Sequence, residues 1–168
     1  MKRATYFLLI LGAFLLIGKT SYAQDYKPDY KFAAGLKFGG FENGLSGKYF
    51  LNTTTSLEGL LGFRSHGLVF TGLYEFNTQA FNVEGLRFYY GFGAHIGAIG
   101  KGVYKRFNGD NENYNSNQIL TGADGVIGLE YVIPKSPIAV SLDLNPRVEL
   151  ATGPFFDIAP GLGVKYCF

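Results

Sequence analysis

The chain has no tryptophan, one methionine and one cysteine, Cys167, among its 168 residues. A single cysteine excludes an intramolecular disulfide. With only two histidines, His66 and His95, and no paired His/Cys spacing, the usual zinc patterns are missing too. Beyond residue 23 no apolar run approaches the about 20 residues of a spanning helix. An excess of charge of one sign is also missing. The whole chain carries 15 basic and 13 acidic residues; setting aside Lys2, Arg3 and Lys19 of the amino-terminal leader leaves 12 against 13, a net charge of −1. That balance removes the electrostatic case for a nucleic-acid partner. Glycine and aromatics are plentiful instead, with 24 Gly, 16 Phe and 12 Tyr.

Lys2 and Arg3 precede the apolar run Tyr6 to Ile17, and Ser21-Tyr22-Ala23 places small residues where a signal peptidase reads. This pattern predicts a secretory signal peptide over 1–23, cleaved after Ala23. Residues 24–168 then form one domain. No Cys follows the cleavage point, so a lipid-modified amino-terminus is not expected.

The rest of the chain alternates. From Phe156 to Phe168 every second residue gives Phe156, Ile158, Pro160, Leu162, Val164, Tyr166 and Phe168, while Asp157, Ala159, Gly161, Gly163, Lys165 and Cys167 lie between them. Successive side chains of a strand point to opposite faces, so one face is greasy and the other small or charged. The same pattern predicts strands near 30–39, 44–51, 56–66, 68–77, 86–99, 119–133, 138–150 and 155–168, broken by turn-forming Gly, Asn, Thr and Pro. Pro146 and Pro160 fall inside these runs and predict bulges or strand ends. Parity collects Lys31, Lys37, Lys48, Arg64, Arg87, Arg147 and Lys165 on the polar face, with Glu58, Glu75, Asp124, Glu130, Asp143, Glu149 and Asp157. Seven cations meet seven anions, an expected network of ion pairs across a narrow lumen.

These features resemble the small eight-stranded bacterial outer-membrane β-barrel proteins: an export leader, eight alternating strands of about ten residues, and a terminal strand ending on Tyr166 and Phe168. The resemblance implies an all-β, antiparallel, up-and-down transmembrane barrel in the bacterial outer membrane. It implies contact with outer-membrane lipid and lipopolysaccharide, and recognition of Tyr166 and Phe168 by the barrel assembly machinery. A monomer is expected. Parity alone does not say which face is outside. A soluble, lipocalin-like barrel would turn the greasy face inward around an apolar ligand. The terminal Phe168, and aromatics near strand ends at Tyr30, Tyr49, Phe76, Tyr131, Tyr166 and Phe168, favour the membrane arrangement.

Catalytic candidates are thin. Ser65 and His66 are adjacent and so point to opposite faces, and His95 is followed two residues on by Gly97, not Ser. Only a cross-strand set such as Ser141, His95 and Asp143 would supply nucleophile, base and orienting carboxylate. Both histidines are expected in the polar network of the lumen. The Asn-rich stretch 108–113 lacks the ligand spacing of a calcium loop, and Gly91-Phe92-Gly93 lacks a following helix to bind phosphate. No catalytic, cofactor or metal site is expected. The long connection 100–118 carries Lys101, Tyr104, Lys105, Arg106, Phe107 and Tyr114, a basic-aromatic set suited to surface contact. The expected function is a non-enzymatic outer-membrane protein with a plugged lumen and an interaction role for that loop. A narrow passive pore for small or apolar solutes is the second reading, and a lipid A-modifying enzyme the third.

Overall fold

The computed structural model describes residues 30–39, 41–64, 66–105, 111–152 and 155–168. The expected leader, together with Ser65, Arg106 and Phe107, lies outside the described residues.

Every element among the described residues is a strand: β1 (Phe32–Gly39), β2 (Asn43–Phe50), β3 (Thr55–Arg64), β4 (Gly67–Gln79), β5 (Leu86–Ile99), β6 (Gly102–Lys105), β7 (Asn111–Tyr114), β8 (Gln118–Val132), β9 (Ile138–Glu149) and β10 (Phe155–Cys167). Eight of them close into an antiparallel barrel in the order β1-β10-β9-β8-β5-β4-β3-β2. Neighbours in sequence are neighbours in space, and β10 closes on β1 with Leu36 opposite Val164. β6 and β7 form a separate two-stranded hairpin inserted between β5 and β8. The expected loop 100–118 is thus partly ordered as strand.

The faces divide as alternation requires. Phe38, Leu162, Leu142, Leu129 and Phe88 follow one another around the outside through successive strand pairs. All but half-buried Phe88 are exposed. Lys37, Lys48, Glu58, Glu75, Arg87, Glu130, Asp143 and Lys165 point inward and are buried. The greasy face is therefore outside, the opposite of a lipocalin-like cavity. Exposed Phe32, Tyr49, Phe76, Tyr90, Tyr131, Tyr166 and Phe168 gather toward the mouth where the described chain begins and ends. Ring contacts tie that rim together, among them the stacked pair Phe76 and Tyr90, with centroids 5.4 Å apart, and the tilted pair Tyr166 and Phe168.

Tyr30 departs from the expected rim role. It is buried inside the same mouth, packed on Phe50, Ala33, Ala139 and Cys167. Pro146 sits mid-strand, neither at a bulge nor at an end. The β8–β9 register is the same on both sides of it, and only the pairings of Gly125 and Val126 drop out. A proline offers no ladder N–H, and Gly125 makes space for its ring: a Cβ there would lie 2.8 Å from Pro146 Cγ. Pro160 occurs in β10 one residue past the last pairing with β1, at Gly39 and Gly161. The connection after β4, expected to start at Thr78, is shorter because β4 continues to Gln79. It closes with Ala80 N donating to Leu86 O and Val83 N to Ala80 O. Phe81 and Asn82 take φ of 52° and 55°, a left-handed turn that an asparagine adopts more readily than a phenylalanine.

Candidate lumen charge network

An eight-stranded barrel is about wide enough for its own side chains to fill, so the inward faces of opposite strands meet. In the half nearer the chain ends, Lys48 Nζ lies 3.0 Å from Glu75 and 3.6 Å from Glu130. The faces of Tyr89 and Phe50 flank that ammonium at 4.4 and 5.3 Å. Lys165 Nζ reaches Glu58 at 2.8 Å and Glu130 at 3.7 Å. Arg87 lies 3.7 Å from Glu130, with its guanidinium over Tyr30 and Phe50. Hydroxyls supply more donors. Tyr30 donates to Glu130 at 3.0 Å, Ser46 to Glu58 at 2.5 Å and Ser56 to Glu75 at 3.0 Å.

At mid-height, Lys37 pairs with Asp143 at 3.0 Å, and Asp143 also accepts from Tyr89 at 2.6 Å and Asn145 at 2.6 Å. Small residues make this crowding possible. A Cβ on Gly161 would fall 2.4 Å from Asp143 Oδ1 and 2.9 Å from Lys37 Cε.

Toward the other mouth, Arg147 donates to Asp124 at 2.5 Å, to Glu42 at 2.6 Å and to Thr71 at 3.1 Å. Arg64 donates twice to the same Glu42 oxygen, at 3.1 and 2.8 Å. His95 places Nδ1 2.7 Å from Asp124 and Nε2 3.0 Å from Glu149. Asp157 is buried and accepts from Ile158 N at 2.8 Å. Between the middle and upper groups lies a cavity of about 30 Å³ lined by Lys37, Glu42, Thr71, Asp124, Asn145 and Arg147. It has room for a water molecule or two. Apolar layers alternate with these charges: Leu73, Tyr89 and Val126 lie inside the barrel, and Val69, Ile99 and Leu120 under Tyr114 of the hairpin.

Thirteen of the fourteen charged residues that parity assigned to the inner face are buried or half-buried there. Lys31 is not. It is exposed just ahead of β1, with Nζ 5.5 Å from the outward Tyr49 ring, because alternation ends where the strand does. Glu42 takes a place that no parity argument could give it, since it belongs to the β1–β2 turn and enters the lumen from above. His95 is buried, whereas His66 is exposed in the β3–β4 turn, outside the network. Ser141, His95 and Asp143 are not brought together. His95 lies level with Gly122 and Glu149, and Ser141 is eight residues farther along β9, roughly 27 Å at strand rise. Of the loop residues, Lys101 is exposed and Tyr114 is half-buried against the upper apolar layer. Tyr104 and Lys105 lie in β6.

No protein-family model matches this chain, and no curated protein matches it in sequence. Among solved structures it is similar to the N-terminal β-barrel domain of Pseudomonas aeruginosa OprF. The identity is 24%, over 82% of this chain and 95% of that one, with a TM-score of 0.56. The likeness is one of fold, a closed eight-stranded antiparallel barrel.

Proposed function

We propose that this protein is an integral protein of the bacterial outer membrane, delivered there by a cleaved leader, whose lumen is closed to ion flow. The reading is non-enzymatic: the barrel serves as a membrane-embedded scaffold, and the β6–β7 hairpin with its flanks is the surface it offers to partners. One observation carries the membrane assignment, the inversion of polarity. Outward Leu, Ile, Val and Phe are exposed while inward Lys, Glu, Asp and Arg are buried in ion pairs. Water cannot favour that arrangement, and a bilayer can. With the chain ends on the periplasmic side, the hairpin faces outward and residues 80–85 and 133–137 become periplasmic turns. Closure of the lumen is supported by the charge pairs that span it and by the small cavity between them. The fold likeness to the OprF barrel domain agrees with the architecture and carries no activity with it.

The test is direct. Membranes are washed with carbonate, and the retained protein is run unboiled and boiled on a denaturing gel. Retention with a shift on boiling is expected; release into the wash would overturn the membrane reading. The purified barrel is then placed in planar bilayers, where no steady conductance is expected. Ohmic channels would replace the closed lumen by the narrow passive pore.

A further inference from the structure

Glu42 is a surface-turn residue whose carboxylate is nonetheless drawn into the barrel. One oxygen, Oε1, receives Arg64 Nε and Nη2 and Arg147 Nη1. Its stem lies against Gly62, where a Cβ would fall 2.4 Å from Glu42 Cβ and 2.7 Å from its Cγ. Phe41, its neighbour in the turn, lies over the Arg147 guanidinium at 4.5 Å. Directly beneath is the cavity of about 30 Å³, which Lys37, Thr71 and Asn145 also line. Two guanidinium groups converging on a single oxyanion form a recognition geometry for carboxylate or phosphate. Here the ligand is tethered to a short turn, at whose base Gly39 N donates to Asn43 Oδ1 at 2.8 Å.

We propose that Arg64 and Arg147 form a small-oxyanion site at the outer mouth, that Glu42 is its resident occupant, and that displacement of the Phe41–Glu42 turn admits a soluble oxyanion in its place. The sheet walls the site off from lipid, and the cavity is small, so the ligand class is a free carboxylate or phosphate entering along the barrel axis. The site lies in a lumen closed to ion flow, and the inference rests on that proposed reading. Asp124 stays bound to Arg147 at 2.5 Å and sets the selectivity toward compact anions that fit beside it.

The experiment uses the full mature protein in detergent micelles, with inorganic phosphate and acetate as probes at constant ionic strength. The readout is the melting midpoint of the heat-modifiable gel band. In wild type, tethered Glu42 competes with the soluble anion, and the midpoint is expected to rise less than in the variants. In Glu42→Ala the midpoint is expected to rise saturably, by roughly 5 °C at a large excess of anion, and the added change Arg64→Ala is expected to abolish the rise. Gly62→Ala gives the same test with every charge retained, because its Cβ evicts the Glu42 stem. A flat midpoint in Glu42→Ala and in Gly62→Ala, both still migrating as folded barrels, overturns the proposal. Failure of the barrel reading looks different: wild type itself then shows no shift on boiling.

Discussion

Lys48 shows what a single residue must satisfy inside this barrel. It has 0% exposure, yet two carboxylates and two aromatic faces surround its ammonium. Burying a charge is costly, and removing one partner of a buried pair costs more than the pair contributes, because the other charge stays behind. Lys48→Met keeps most of the length of the side chain and removes the cation paired with Glu75, while Glu130 keeps Lys165 and Arg87. The expected loss is about 3–5 kcal/mol, read as a lowered urea midpoint of the gel-shift transition. Adding Glu75→Gln is expected to recover part of it, since fewer negative charges are then left unpaired. At this scale the sequence was readable wherever a residue sat in a strand. Lys48, Glu58, Glu75 and Glu130 were placed by parity alone. Glu42 was not, because a turn has no alternating period, and Lys31 was misplaced for the same reason at the edge of β1. Tyr30 was assigned to the rim by its type, and its hydroxyl's bond to Glu130 is a long-range fact that no local pattern contains.

At the scale of the element, β8 and β9 show how a strand accommodates a residue that strands usually exclude. Pro146 interrupts two pairings and shifts none, because Gly125 opposite it lacks the Cβ that would meet the ring. Gly125→Ala is expected to cost about 1–3 kcal/mol as an overpacked contact, and the double change with Pro146→Ala is expected to restore most of it. Urea midpoints of the two single variants and the double variant form the cycle that checks this. The sequence located the strands to within a few residues because turn formers bracket each apolar alternation. It gave no account of the packing of the Pro146 ring against Gly125, since that contact joins positions on different strands. The β6–β7 hairpin was missed because Gly102 to Tyr114 has no apolar alternation to announce it. Its pairing rests on backbone register, with Val103 opposite Asn113.

For the whole molecule, the informative comparison is between the two faces of one sheet. Leu142, 62% exposed at mid-strand of β9, lies in the outward apolar belt between Leu129 and Leu162. Leu142→Arg is expected to destabilise the barrel by about 2–4 kcal/mol in a bilayer. Urea titration of protein folded in phosphatidylcholine vesicles measures this, and an unchanged midpoint would place Leu142 in contact with water. Alternation showed that the two faces differ, the terminal Phe168 and the strand-end aromatics pointed to the greasy one as the outer, and the closed sheet places it there. That inversion changes what folding means for this chain. Amphiphile that the folded barrel takes up and the unfolded chain does not is a reactant in the folding equilibrium, and its concentration sets the yield by mass action. On the membrane reading proposed above, a melting temperature measured for this protein belongs jointly to the chain and to the fluid that coats it, and diluting that fluid is expected to lower it without touching a single contact in the barrel's interior.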